Sequence, residues 1–438
     1  MDFSKRVFIL GSTVSVLAIT LVGGMFSAVR ENALYRAVWG TLDNAKTLYE
    51  EIPNLRHTEP IHFLRPAIYE GEGVTINKAP ANANDLILLS GFLHDDNKVQ
   101  LIHRDGTVVN EWVLRAHEIY KDPSFFRDPP MTDWNAITHG TIIKPDGDIV
   151  FSFESGGLVR MDRCGKVKWA SPEISHHSPN WMSNGGIVVS GGRYVDKPNS
   201  EIPWPFAGPY WDDLITKYDA DGTKVFERSM TDVMIDNGMQ SWLTSTGTFN
   251  TRVNGEFHLN EVEELSPELA ADFPMFQAGD LLISLRNRNM ILVTDAEAKK
   301  IKWWKVGPWL RQHDPDFEVG GLITVFDNHS DDSPDGRHGG GSRIWSINPA
   351  TDVAVTLYGG KDGERMYSPE RGTHQRQPEG DIMITEAQQG RSFEVTPSGE
   401  IVWEYVTRYD KDRIAWIHDA ETYDPTYFTV TDWSCPAN

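Results

Sequence analysis

From about residue 80 onward the chain reads as short apolar runs separated by Asp-Gly and Gly turns. Asp146-Gly147-Asp148 opens the run Ile149-Val150-Phe151, which leads to Leu158–Met161, then Gly165 and Val167-Lys168-Trp169. The same phrase returns from Gly279-Asp280-Leu281 to Trp303 and from Gly380-Asp381-Ile382 to Trp403. Looser copies run from Asp85 to Trp112, from Asn184 to Phe226 and from Gly321 to Tyr358. Repeats spaced by roughly 40 to 60 residues and built of short strands predict small sheets, none able to bury both faces alone. Stacking them around an axis buries those faces and leaves a central channel. A tandem of sandwiches would not repeat one phrase six times. The pattern therefore predicts an all-β, six-bladed β-propeller over residues 60–438. Residues 199–213 and 262–277 interrupt the phrase and are expected as loops over one rim. Trp303, Trp304 and Trp403 close their phrases and are expected to pack between blades.

The first 55 residues follow other periods. Val7 to Val29 form an uncharged run of 23 residues, enough for a helix to cross about 30 Å of hydrocarbon. Lys5 and Arg6 precede it, so the positive-inside rule places residue 1 in the cytoplasm and everything after Val29 outside. A cleaved signal peptide is the competing reading, but cuts after Ala28 or Ser27 would put Phe26 or Met25 at the −3 position, where a small residue is needed. Residues 1–29 are thus expected to be a cytoplasmic tip and transmembrane signal anchor. Residues 30–55 carry Leu34, Val38, Leu42, Ala45 and Leu48 at helical spacing, and are expected to form an amphipathic stalk. The expected location is the inner membrane, single-pass through residues 7–29, with the propeller in the periplasm. The stalk leaves a homodimer or a membrane-protein partner open.

Composition narrows the function classes. A net charge of −22 argues against nucleic acid as a partner, which would call for a basic surface. Cys164 and Cys435 are the only cysteines; in an oxidising compartment they could form a disulfide, and neither has a metal-ligand partner at close spacing.

Candidate chemistry lies in the histidines. His176-His177 precede Asn184, His258 precedes Gly279, His313 precedes Gly321 and His374 precedes Gly380, with His139 before Asp146 as a further case. Recurrence at one phase of different repeats brings these side chains to one axis. In Phe257-His258-Leu259-Asn260 an extended strand would turn His258 and Asn260 to the same face, and Arg286 ends the strand 281–285. An arginine, an amide and several imidazoles with few carboxylates make a receptor for phosphate, sulfate or their esters. A zinc or iron site is the alternative, opposed by the arginine and by the lack of HxH or HExxH spacing. No metal and no cofactor is expected. Trp134, Trp181, Trp204 and Trp211 could line an entrance for flat substrates. Asp327-Asn328 is read as a turn, Gly339–Gly341 as a flexible loop, and Arg343 as either a second anion contact or an ion-pair partner.

Arg311-Gln312-His313-Asp314, Thr324–Asn328, Ser342-Arg343, His258-Leu259-Asn260, Ile283–Asn287 and Tyr367-Ser368-Pro369 before Gly372-Thr373-His374-Gln375 together resemble the bacterial arylsulfate sulfotransferase family. The resemblance covers roughly residues 80–406 and is most specific from His258 to Val395. It implies a periplasmic six-bladed propeller in which a histidine takes a sulfuryl group from an aryl sulfate donor and passes it to a phenolic acceptor, in two ping-pong steps. It implies His313 as the nucleophile and His258, Asn260 and Arg286 as its companions, with Thr373 and His374 as further substrate-binding candidates. The remaining catalytic histidine is His176 or His177, with His177 preferred. Where the family continues His-His-Asp, this chain has Ser178. The alternative function is a catalytically silent, membrane-tethered propeller acting as a scaffold or accessory subunit.

Overall fold

A computed structural model describes residues 59–438 apart from 79–83, 155, 198, 203–208, 245–256, 332, 334 and 436–438, together with helical positions between residues 13 and 52. The expected anchor and stalk lie largely outside the described residues. Among the described residues no helix is long and apolar enough to cross a membrane.

Among the described residues, 62–438 form one compact unit of six antiparallel blades and a small two-stranded sheet that pairs Leu64–Pro66 with Arg413–Ala415. In chain order of their second strands, blade 1 comprises Leu86–Leu93, Asp96–His103 and Val108–Val113, and blade 2 comprises Thr138–Ile143, Ile149–Phe153, Leu158–Met161 and Val167–Ala170. Blade 3 runs from Ser175 to Ser229, blade 4 from Leu259 to Val306, blade 5 from His313 to Tyr358 and blade 6 from Thr373 to Val406. The ring closes by exchange of ends. Ile417–Tyr423 supplies the innermost strand of blade 1, and Gly73–Asn77 adds an outer strand to blade 6. Sheet edges that would otherwise be open are thereby paired.

The second strand of each blade is sandwiched between neighbouring blades. Ile149–Phe153, Leu281–Leu285 and Ile382–Glu386 are therefore buried at every position and read as continuous apolar runs rather than alternating ones. Separate apolar clusters fill the gaps between consecutive blades. Ile142, Val150, Ile187 and Val189 join blades 2 and 3; Val188, Ile215, Val262 and Ile283 join blades 3 and 4. Trp403 is fully buried between blades 6 and 1, with its indole N–H on the Arg104 carbonyl at 2.9 Å. Trp303 packs partly against the cluster between blades 4 and 5. Trp304 does not pack between blades as expected, since adjacent positions of one strand face opposite ways and it is 45% exposed.

Turn chemistry explains the repeated phrase. At the turn before the outer strand, the Asp162 carboxylate accepts the N–H groups of Cys164 and Lys166, and Asp219 does the same for Asp221 and Thr223. Gly165 has φ +78°, a conformation that favours glycine. Cys164 in this turn is bridged to Cys435, with the Cα atoms 5.6 Å apart, which pins the C-terminal tail to blade 2. The two expected rim loops are shorter than the sequence suggested. Tyr210–Tyr218 is a strand of blade 3, and Leu259–Glu264 is the innermost strand of blade 4. Their buried acids, Asp212, Asp213 and Glu261, hid the strand pattern.

Candidate active site

The innermost strands of the six blades touch one another in sequence around the axis. Each begins at or next to a histidine: His139, His176, His258, His313, His374 and His418. Regular pleating would not aim these side chains together. Register shifts interrupt the pairing after Thr138, His176, Leu259, His313 and Ile417. His177 and His258 take φ values of +63° and +52°, and Arg311, Asp314 and Arg371 are likewise left-handed. Bulges and left-handed residues of this kind re-aim side chains and persist where surrounding contacts over-determine them. The expectation that His258 and Asn260 share one strand face fails for this reason: His258 lies before the strand and Asn260 within it.

Five imidazoles meet. The His177 ring centroid lies 4.5 Å from that of His139, 4.9 Å from His176, 5.1 Å from His258 and 5.9 Å from His313. His177, not His176, is the ring at the centre. Their hydrogen bonds fix the tautomers. Nε2 of His176 donates to the Gly191 carbonyl at 3.1 Å, so its Nδ1 accepts the Nδ1–H of His177 at 2.7 Å. His177 is left with a lone pair on Nε2.

For His313, Nδ1 stands 2.6 Å from the amide oxygen of Asn328. Asn328 cannot present its NH2 there, because that group donates to the carbonyls of Ser368 and Arg371. The proton is therefore on Nδ1, and Nε2 of His313 carries a free lone pair. Burial, with Arg286 next in weight, pushes His313 down to about 3. Burial likewise holds His176 at about 4 and His139, His177 and His418 well below the usual imidazole range. All are neutral at pH 7.

Arginines supply the positive charge. Arg286 follows the strand Leu281–Leu285 in a short 3-10 turn and is 8% exposed. It donates from Nη1 to Nε2 of His258 at 3.1 Å and lies 3.5 Å from Glu370. Arg371 donates to the Thr138 carbonyl at 3.0 Å and to Nδ1 of His418 at 3.0 Å, and pairs with Glu154. Asp213, pushed up to about 7 by burial, accepts the backbone N–H groups of Phe257 and His258 and so braces the left-handed turn at His258. A cavity of about 240 Å³ opens on this cluster, lined by Arg127, Asp128, Glu154, His176, His177, Trp211, Asp213, His258, Arg286 and Glu370. The expectation of few carboxylates is corrected here: four line the cavity, and two of them, Glu154 and Glu370, supply counter-charge to the buried Arg371 and Arg286. His313, 4% exposed, is adjacent to the cavity rather than part of its lining.

The other expected residues sit elsewhere. Asn260 donates to the Gln312 carbonyl at 2.7 Å, and the Gln312 amide is tied to Ser284 and Met290, so both fix the chain entering His313. Thr373 and His374 lie in a second cavity of about 270 Å³, lined from all six innermost strands by Thr141, Ser178, Asn180, Glu263, Asp314, Asp316, Glu318, His374, Arg376, Asp419, Glu421 and neighbours. There Thr373 donates to Asp419 at 2.7 Å. Of the aromatic residues, Trp211 lines the first cavity, with Arg127 stacked on it at 4.5 Å. Trp134 packs in a cluster beside blade 1 and Trp181 between blades 2 and 3; Trp204 lies outside the described residues. Arg343 donates to the Gly339 carbonyl at 3.1 Å, bracing the glycine loop.

Sequence reasoning missed Asn328, Arg371 and His418. Asn328 was read as a turn residue, and the neighbouring Asp327 does serve the turn, accepting the N–H groups of Leu310 and His329. His418 had a signal. Ile417-His418-Asp419 repeats the histidine phase, but circular closure detaches it from the blade it completes.

Among solved structures, a protein of unknown function from Bacteroides caccae is similar at 13% identity, covering 74% of this chain and 94% of that one, with a TM-score of 0.46. A streptogramin B lyase is similar at 14% identity, over 80% and 90% of the two chains, with a TM-score of 0.41. Virginiamycin B lyase from Staphylococcus aureus follows at 13%, over 62% and 70%, with a TM-score of 0.34. No curated protein matches the chain. The family model described as arylsulfotransferase (ASST) matches residues 139–408, the stretch that holds His139, His177, His258, Arg286, His313, Asn328 and Arg371. With the match spanning more than half of its 438 residues, the chain belongs to the arylsulfotransferase family.

Proposed function

We propose that the chain moves a sulfuryl group from an aryl sulfate to a phenol through a covalent intermediate on Nε2 of His313. The observation that carries this reading is the Asn328 hydrogen bond, which holds the proton on Nδ1 and leaves Nε2 as a nucleophile. Burial keeps that ring neutral and able to attack at any ordinary pH.

In the first step an N–S bond forms at His313 as the S–O bond to the aryl group breaks, and the aryl oxygen leaves with its electron pair as a phenolate. Arg286, with His258 beside it, offsets the charge on the sulfuryl oxygens. The sulfated ring is cationic while it keeps its Nδ1 proton, so its bond to Asn328 becomes charge-assisted and stronger. In the second step an acceptor phenol attacks sulfur, the N–S bond breaks and His313 recovers its lone pair. The phenol's proton passes to Nε2 of His177 and from there to the released phenolate or to water, which restores the neutral ring. Sulfuryl transfer of this type depends on positioning and charge stabilisation, as phosphoryl transfer does. The cycle as written uses no nucleotide sulfate donor. The apolar run at residues 7–29 supports an inner-membrane anchor with the propeller in the periplasm, where a Cys164–Cys435 bridge would persist.

The test is mass spectrometry of the full chain after brief exposure to 4-nitrophenyl sulfate. One added sulfuryl group on the peptide holding His313, lost on adding a phenol and absent in His313→Ala, is the expected result. A folded wild-type chain that releases nitrophenol without any adduct on that peptide overturns the mechanism. No adduct and no release would favour the scaffold reading.

A further inference from the structure

The second central cavity is built for charge opposite to that of the first. Six carboxylates line it, from Glu263, Asp314, Asp316, Glu318, Asp419 and Glu421, against the single guanidinium of Arg376. Within this group the oxygens of Asp314 and Asp316 and a nitrogen of His374 all lie within 4.8 Å of one another.

His374 is what distinguishes the group from an ordinary acidic cluster. Its side chain is fully buried. The Asp314 carboxylate accepts both its backbone N–H and its Nδ1–H, at 2.6 and 3.0 Å. That contact places the proton on Nδ1 and leaves a lone pair on Nε2. Nε2 is buried without a hydrogen-bond partner among the described residues, and it faces Asp316 at 3.6 Å. Two ligands of a tetrahedral ion, each about 2.0–2.2 Å from it, stand about 3.4 Å apart. A carboxylate holding the far nitrogen of an imidazole is the usual second support of a metal-binding histidine.

We propose that Asp316 and Nε2 of His374, with Asp314 holding the far nitrogen of that imidazole, bind a divalent cation of the zinc or manganese type on the axis of the propeller, apart from the histidine–arginine cluster. One imidazole nitrogen with carboxylate oxygens suits these ions better than calcium, which takes oxygen ligands alone. The surrounding carboxylates favour a cation over any anion. The six carboxylates share one small cavity, and a bound cation would relieve their mutual repulsion. Asp316 lies on the same strand as His313, so the ion would also fix the strand that carries the nucleophile.

The experiment strips the purified full-length chain with a chelator, dialyses it against MnCl2, ZnCl2 or CaCl2, and counts bound metal per chain. One equivalent of manganese or zinc is expected, with affinity reduced about 100-fold or more in Asp316→Asn and in His374→Gln, and unchanged in His313→Ala. Asp316→Asn keeps the volume and removes repulsion, so its thermal midpoint should equal or exceed that of the stripped wild type, which separates lost ligation from lost folding. Absence of stoichiometric binding overturns the proposal. So does binding that survives His374→Gln but is lost in His313→Ala, which would place the ion in the histidine cluster. Calcium binding insensitive to His374→Gln overturns it as well.

Discussion

Asn328 offers the most informative perturbation, because its amide decides which nitrogen of His313 is free. Asn328→Ala removes the acceptor 2.6 Å from Nδ1, so the neutral ring can hold its proton on Nε2, where it cannot attack. It also removes the partner of a ring that becomes cationic on sulfation. A hydrogen bond to a charged group contributes about 1.5–3 kcal/mol, and at about 1.36 kcal/mol per decade this is a loss of roughly 10- to 150-fold in kcat. KM should change little, since Asn328 does not line the cavity. The carbonyls of Ser368 and Arg371 lose a donor, so some stability is lost too, and thermal melts must accompany the kinetics. Asn328→Asp separates positioning from packing. It retains an acceptor for Nδ1 but sets a carboxylate against the ring, which raises the pKa of His313. The acid limb of kcat/KM, placed near pH 3 by the wild-type environment, should move up toward neutrality. The assay is transfer from 4-nitrophenyl sulfate to a phenol between pH 4 and 9. Wild-type kcat in a folded Asn328→Ala, or an unmoved acid limb in Asn328→Asp, would refute the tautomer argument.

Two further outcomes follow from the same geometry. His177→Gln should spare the burst of nitrophenol, whose leaving group needs little help, but slow transfer to weakly acidic phenols by about 10²-fold or more, the usual contribution of a general base; equal losses in both steps would remove His177 from that role. Stability should fall as pH rises from 6.5 to 8. Asp213 and Asp419, both pushed up to about 7 by burial, and Glu263 and Glu421, pushed up to about 8, keep their protons in the folded chain up to those values, where the unfolded chain has already released them. Each carboxyl in that state subtracts up to about 1.4 kcal/mol per pH unit. The buried histidines oppose this only below pH 6.5, where the unfolded chain takes up protons that His313 and His176 refuse. Thermal melts across pH 5–8.5 test the sign, Asp419→Asn should flatten the alkaline decline, and a midpoint that rises above pH 7 would contradict it.

The sequence alone determined the repeating unit. Asp-Gly turns and doubly buried second strands leave a local signature, so six blades are legible, and histidines at one phase of several repeats mark the axis. His313, His258 and Arg286 were found that way because each lies beside a strand whose pattern is plain. Tertiary structure decided what local patterns do not encode. Left-handed residues and bulges at the inner strands set where each imbidazole points, which split His258 from Asn260 and put His177 rather than His176 at the centre. Closure of the ring joins Ile417–Tyr423 to a strand more than 300 residues earlier and brings His418 to Arg371. Charge followed the same rule: one axis holds an arginine–histidine cluster and a carboxylate-lined cavity because the inner strands carry histidines at their starts and acids such as Glu263, Asp316, Glu318 and Glu421 further along. A polar residue's role is set by the partner it meets, and those partners are brought together only when the blades close.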